Sequence, residues 1–276
     1  LLLVILGVLW ITVIFPAIDK VPTDYEQTYV FLGNLTTVDP DTQSTDSFPI
    51  KLTLDQEAIG TKDGALLIHE KRTLVRSDTG VDVPDAYGVY GGESTLAIDR
   101  RTREFVPDID EGKRTGYWEP PKLLGEGDTF DLWNPGAKKA LTAKYVRSED
   151  FRHGDDVVAV LVFEIDEAEI PITKGGMDLY YRTTITLWIE PSSGTVANQE
   201  SATTVSFDKM GNQPVQISTL RYAEETIDDL MDTAKSAHTM LLWFRTIIPW
   251  VLIGLGAVMV LLDVLVLPRI QARRER

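Results

Sequence analysis

The side chains that most often perform catalysis or bind metals are few and scattered in this chain. It has 276 residues, three histidines and no cysteine. His69, His153 and His238 lie far apart and lack the i, i+4 spacing of a helical metal pair. Without cysteine there are no thiol nucleophiles, thiolate metal sites or disulfides. Nucleophile-elbow, Walker and dinucleotide-binding glycine patterns are also absent. We therefore expect no enzyme activity and no cofactor.

Carboxylates are the one abundant reactive group, and one acidic cluster resembles part of a calcium loop. This cluster is Asp108-Ile-Asp110-Glu111-Gly112. It lacks the alternating acidic positions and terminal Glu of a complete loop, so the sequence favours an exposed acidic loop without metal. A hydrolase remains a third hypothesis, because it requires only carboxylates of raised pKa in a cleft.

An aromatic and proline-rich stretch has the most distinctive local composition. It comprises residues 117–121, with Trp118, and residues 130–136, with Phe130 and Trp133. The rings either contact a partner or lipid, or fill a thin β core. We count Trp118, Phe130 and Trp133 as candidate contact residues.

The overall charge is strongly negative. Against 27 basic residues stand 42 acidic ones, for a formal net charge of −15. A nucleic-acid partner is excluded because phosphate binding requires a basic surface. An acidic surface suits a basic soluble protein, whose association it would accelerate.

Apolar residues concentrate at the two ends of the chain. Residues 1–18 predict a transmembrane helix truncated at its start, since residues 1–15 carry no charge yet span only about 22 Å. The hydrophobic region of a signal peptide is the alternative. Residues 241–268 predict a second transmembrane helix, and 269–276 form an arginine-rich tail that marks the cytoplasmic side. Both termini are then cytoplasmic at the plasma membrane, and 19–240 are extracytoplasmic.

The second apolar segment contains three further candidate contact residues. Gly254 and Gly256 form a small-residue patch that another helix could approach closely. Asp263 either reaches the membrane interface or marks a partner helix or a proton path.

The region 19–221 is predicted to be mainly β-structure. The β-rich runs are Tyr29–Leu32, Ile50–Leu54, Ala65–His69, Ser94–Ile98, Val157–Ile165 and Thr183–Ile189, with turn signals between them. Residues 40–49, rich in Asp, Ser and Thr, predict an exposed loop.

A weak internal repeat occurs at an offset of 91 residues. Residues 95–102 align with 186–193, and in both an alternating strand leads into an acidic residue and a polar turn. Two related hairpin-bearing units of about 90 residues, or convergent turn chemistry, both explain the pattern.

Residues 222–240 change to a helical period. Apolar residues recur every three or four positions, and acidic residues occupy the other face and the first turn. We expect an amphipathic juxtamembrane helix continuous with the second transmembrane helix.

Several segments in this order carry a family resemblance. They are Leu96–Glu104, Phe130–Gly136, Leu187–Val196 and the terminal helix that runs into an apolar span. The chain resembles the two-helix membrane proteins called the porin PorA family in actinobacteria and archaea. The hairpin of Leu187–Val196 is also similar to those of lipoprotein-carrier folds, whose curved sheet holds acyl chains.

Two functional hypotheses follow. The first is a non-enzymatic accessory or structural subunit whose outer β domain packs on a larger membrane complex, with other integral membrane subunits as partners. The setting of the family suggests a respiratory assembly. The second is an envelope lipid-binding or lipid-transfer protein, for which membrane lipids are the ligands.

Overall fold

The computed structural model describes residues 2–39, 42, 44–83, 90–174 and 176–265. Two compact units are present. Val21–Lys235 form a β domain, and the two ends of the chain form a helical unit.

Ten strands lie within the described residues and form one antiparallel sheet. Their order across the sheet is β4-β3-β2-β1-β10-β9-β8-β7-β6-β5. Their bounds are β1 Glu26–Val38, β2 Thr45–Lys62, β3 Ala65–Arg76, β4 Gly92–Ile98, β5 Thr129–Asn134, β6 Lys139–His153, β7 Asp156–Lys174, β8 Met177–Glu190, β9 Thr195–Ser206 and β10 Pro214–Tyr222. The first and last strands are neighbours at the centre, so the sheet ends in β4 and β5.

The sheet curls until its two edge strands approach each other. Register shifts interrupt several pairs, for example between Ala58 and Gly60 in β2, and such bulges bend a strand and increase its twist. The segment that links β4 to β5 fills the remaining gap. Val106 donates to Ala97 in β4, Phe105 to Gly116, and Trp133 in β5 to Tyr117. Backbone hydrogen bonds therefore join both edges through residues 104–106 and 116–118.

Most of the core lies on the inner face of this curled sheet. Alternate residues of β8 face inward, among them Leu179, Ile185 and Leu187, as the two-residue period of a strand requires. Gly33 permits the close approach of β1 and β10. A Cβ at this position would lie 1.7 Å from the carbonyl oxygen of Thr219.

Helix α3 packs against the sheet by its first turns. It spans Glu224–Leu241, close to the predicted 222–240. Its apolar stripe, Ile227, Leu230, Met231 and Ala234, is buried in the main core. His153 Nε2, in β6, lies 3.1 Å from Asp228 Oδ1 on the outer face of this helix.

In the helical unit, two apolar helices pack closely. The N-terminal one comprises α1 (Leu2–Leu9), a π-helical turn and α2 (Phe15–Ile18). After α3, a π-helical segment (Leu242–Ile247) leads into α4 (Ile248–Leu265). A Cβ at Gly7 would lie 2.7 Å from Ile253 Cγ1, and one at Gly256 would lie 2.7 Å from Val4 Cγ2.

By length and composition, the helical run Glu224–Leu262 can cross a membrane, and Leu2–Ala17 form a shorter apolar helix.

All six predicted strand segments lie within strands of the sheet. The loop expected over residues 40–49 is wrong in its second half, because β2 begins at Thr45 and pairs there with Val38. The polar residues of Thr45–Ser47 suit an edge that faces water, which explains why their composition indicates a loop.

The two turns of the internal repeat have matching geometry. In the first, Asp99 Oδ1 accepts from the N–H groups of Arg101 and Thr102. In the second, Glu190 accepts from the N–H groups of Ser192 and Ser193. Two acidic turns that arose independently would form the same hydrogen bonds, and both turns connect strands of one sheet, so the match does not show a duplication. The two-unit organisation therefore stays a prediction.

A cavity inside the curled sheet

A cavity of about 340 Å³ lies within the β domain, on the inner face of the sheet. Strands from both halves of the sheet, the β4–β5 linker and α3 all contribute to its wall. Much of the wall is apolar: Phe31, Leu52, Leu54, Leu96, Phe105, Trp118, Leu132, Trp133, Ile185, Leu187, Val196, Leu220 and Leu230. The cavity is partly open to solvent, and the described side chains leave it unfilled.

A polar network forms one part of the wall. Tyr29 donates its hydroxyl hydrogen to Glu119 Oε1 at 2.9 Å, and the Tyr25 hydroxyl lies 3.2 Å from the same oxygen. Gln56 Nε2 donates to Glu70 Oε2 at 2.8 Å. A bond of 3.4 Å from Tyr25 to Gln56 connects the two halves. The network links β1, β2, β3 and the linker.

Each carboxylate in the network has an arginine partner. Arg72 binds Glu70 through Nη2. Arg103 Nη1 lies 3.8 Å from Glu119 Oε2 and donates to the Pro120 carbonyl at 3.0 Å. These pairs neutralise both negative charges within the domain, as buried carboxylates require.

The two tyrosines remain neutral hydrogen-bond donors at physiological pH. Burial raises the pKa of Tyr25 and Tyr29 well above the usual value for tyrosine, and the adjacent Glu119 carboxylate raises both further. Loss of either proton would place a second negative charge beside Glu119.

Two buried donors of the cavity wall have no hydrogen-bond partner among the described residues. They are Arg103 Nε and Trp118 Nε1. Buried polar groups nearly always form hydrogen bonds. The wall at Arg103 and Trp118 therefore differs from the neighbouring network, whose polar groups are hydrogen-bonded to one another.

Trp118 and Trp133, two of the predicted contact residues, line the cavity. Trp118 packs edge-on against Tyr25, and Trp133 against Phe105. Phe130 does not line it. Its ring is 5% exposed and lies 5.2 Å from that of Phe163, so it fills the core.

The predicted glycine patch divides between two environments. Gly256 contacts the chain's own α1, whereas a Cβ at Gly254 would meet no atom within 4 Å among the described residues. Asp263 lies in α4, and its side chain lies outside the described part.

The acidic loop is exposed at Asp108 and Glu111, as the sequence predicts, but not at Asp110. Asp110 is buried, and its carboxylate accepts hydrogen bonds from the backbone N–H of Ala97 and from the backbone and guanidinium of Arg114. No group of three or more metal-ligating side chains occurs among the described residues.

Sequence reasoning missed the polar network, although one signal for it was present. Tyr25, Gln27, Tyr29 and Phe31 alternate along the start of β1, and all four line the cavity. Their two-residue period places them on one face of a strand. The partners Glu70 and Glu119 lie far away in sequence and gave no such signal.

The fold and cavity define a class: a β domain with a cavity, in a chain that also has apolar helices. The chain belongs to the Porin PorA family, whose profile matches residues 1–265. This confirms the resemblance. Family membership and the long apolar helix indicate a membrane-associated or exported protein.

Other comparisons add little. No curated protein matches the chain. Among solved structures, one match is a Bacteroides fragilis protein inferred to be exported, with a YmcC-like fold. It is 11% identical, covers 73% of this chain and 97% of its own, and has a TM-score of 0.33. A score this low does not establish a common fold.

Proposed function

We propose that this chain is a non-enzymatic, membrane-anchored protein whose β domain binds a lipid in the interior cavity. The observation that supports this proposal is the cavity itself, which combines an apolar wall with a confined polar region. Its volume falls in the range of about 300–1,000 Å³ that is typical of small-molecule sites. An amphiphile with an acyl chain matches both parts of the wall.

The carboxylates of the cavity support binding over catalysis. A general acid or base needs a carboxyl group free to exchange a proton with a substrate. Glu70 and Glu119 instead accept hydrogen bonds from neighbouring side chains and pair with arginines.

Filling the cavity provides the test. Leu54 lines it, whereas the adjacent Thr53 does not, so Leu54→Trp should occupy the space and Thr53→Trp serves as the matched control. Native mass spectrometry of the full chain in mild detergent counts bound phospholipid and fatty acid. We expect Leu54→Trp to lose one lipid that wild type and Thr53→Trp retain. Equal lipid counts in all three would contradict the proposal.

We also propose that both helices cross the plasma membrane, with both termini cytoplasmic. The absence of native cysteine permits a clean test with an impermeant maleimide on whole cells. Thr61→Cys, exposed in β2, should react without lysis, and Gln271→Cys only after lysis. The reverse pattern would contradict this topology.

A pore between these two helices is not part of the proposal, despite the family name. Their close contacts at Gly7 and Gly256 leave no room for water between them at those positions.

The accessory-subunit role is our second proposal. It is supported by the open Gly254 and by exposed apolar side chains of α4, such as Val251 and Leu255. Gly254→Leu should remove stoichiometric integral membrane partners, for instance respiratory subunits, from mild-detergent extracts, whereas Val260→Leu, which lies on another face of α4, should retain them. A basic soluble partner on the acidic domain would instead dissociate in high salt. Extracts that contain this chain alone would contradict the role.

A further inference from the structure

We propose that Arg103 and Trp118 form a subsite that binds the oxyanion of an amphiphile, a carboxylate or phosphate group, through Arg103 Nε and Trp118 Nε1. This inference rests on the proposed lipid-binding function and specifies the end of the ligand that the polar wall recognises.

The two side chains are direct cross-strand neighbours. Glu104 and Tyr117 form an antiparallel bridge, and the Trp118 N–H donates to the Arg103 carbonyl at 3.0 Å. Arg103 and Trp118 are thus the next opposed pair, and side chains of an opposed pair leave the same face of the ladder. Both residues line the cavity, and both unpaired donors are buried.

The chemistry of the pair selects an acceptor. Indole carries a donor only, and the guanidinium is a permanent cation with donors only. A ligand amine or ammonium would add further donors and leave both atoms unsatisfied. A carboxylate or phosphate oxygen satisfies them, and arginine binds such planar oxyanions well.

Glu119 does not already fulfil this role. Its Oε2 lies 3.8 Å from Arg103 Nη1, and its Oε1 accepts from Tyr29 and contacts Tyr25. The Nε edge of the guanidinium remains unpaired.

The backbone at Arg103 gives independent support. Arg103 has φ 68°, in the left-handed region, and the equivalent position of the matching turn is Gly194 with φ 73°. Glycine adopts this conformation without strain and arginine does not. Strained residues of this kind concentrate at functional sites, and a side chain that binds a ligand accounts for the arginine here.

The test compares two tryptophans of the same wall. Trp118→Phe removes the unpaired donor and keeps a ring, and Trp133→Phe makes the same change at a cavity residue without an unpaired buried donor. Titration of the full chain in detergent with oleate, followed by native mass spectrometry, gives the dissociation constant. We expect Trp118→Phe to weaken oleate binding about tenfold, as loss of a hydrogen bond to a charged group predicts. Trp133→Phe should leave it within about twofold.

Arg103→Lys provides a second variant, because it keeps the charge and removes the Nε donor. Oleyl alcohol and oleylamine should bind wild type weakly, since neither carries an oxyanion. Phosphatidic acid distinguishes the source of the oxyanion. If it binds more tightly than oleate and responds to Trp118→Phe, the headgroup is a lipid phosphate; if only oleate responds, it is a free fatty acid.

The outcomes separate the two proposals. Wild type that binds none of these amphiphiles in the cavity overturns the lipid-binding function. Wild type that binds oleate no better than oleyl alcohol, or that keeps its affinity in both Trp118→Phe and Arg103→Lys, overturns the subsite alone.

Discussion

The turns at Asp99–Arg103 and Glu190–Gly194 have the same hydrogen-bond pattern but different residues at their fifth position. In each turn, the acidic residue accepts hydrogen bonds from the N–H groups two and three residues further along the chain, and the fifth residue has positive φ. The second turn places glycine at that position, as its backbone requires. The first places Arg103 there, and this arginine reaches the cavity.

The difference separates a turn built for packing from one that also presents a side chain. The glycine turn is tightly enclosed, since a Cβ at Gly194 would lie 2.6 Å from the Pro120 carbonyl oxygen and 2.9 Å from Arg103 Nη1. The arginine turn tolerates strain to place its guanidinium beside that same proline. The two turns therefore meet at one end of the cavity, and only one of them carries binding chemistry.

The largest effect should come from Gly194→Ala. Backbone strain and the clash with Pro120 should together lower the free energy of unfolding by about 2–4 kcal/mol, measured by urea unfolding of the full chain in detergent. Gly154→Ala is the matched control, since Gly154 also has positive φ but open space around it. It should cost about 1 kcal/mol. Equal losses would show that enclosure at Gly194 contributes nothing.

A smaller contrast is expected at the two acidic residues. Glu190 is 1% exposed and accepts from Ser192 N, Ser193 N and Ser193 Oγ, whereas Asp99 is exposed. Glu190→Ala should therefore cost about 2–3 kcal/mol and Asp99→Ala about 1 kcal/mol or less. The same urea titrations measure both, and a larger loss at Asp99 would reverse the comparison.

Arg103→Gly should lower the free energy of unfolding by about 1–2 kcal/mol. It removes the bond to Pro120 and the positive charge beside Glu119, and relief of positive-φ strain, about 1–2 kcal/mol, offsets only part of that loss. Oleate binding should also fall, which separates the two roles of this position. A loss of stability beyond about 2 kcal/mol would show that Arg103 is retained for structure.

The smallest effect concerns acid stability. Hydrogen bonds from the backbone of Thr102 and Arg101 lower the pKa of Asp99 below its usual value. A lowered pKa stabilises the fold above the unfolded-state pKa of about 3.9, and this contribution is lost as pH falls through the lower folded-state value. In Asp99→Asn, the free energy of unfolding should fall less steeply than in wild type as the pH drops below about 4. An unchanged acid limb would contradict the assignment.

Features with local periodicity could be predicted from sequence, and features that depend on distant pairing could not. The alternation in β8 and the three-to-four-residue period of α3 predict those elements well. Strands β5, β6 and β10 were not predicted, and in β10 the polar residues Gln216 and Ser218 are buried, against the usual pattern. Trp118 was identified by composition alone. Its opposition to Arg103 depends on the closure of the sheet by the β4–β5 linker, which no local pattern encodes.

The most direct test of the central claim is the location of bound lipid. The full chain in detergent is irradiated with a trace of palmitate that carries a diazirine near the end of its chain, and labelled peptides are mapped by mass spectrometry. Lipid binding inside the sheet predicts labels on cavity residues such as Leu52, Leu187 and Leu220, and their loss in Leu54→Trp. Labels confined to the apolar helices, unchanged by Leu54→Trp, would contradict the claim.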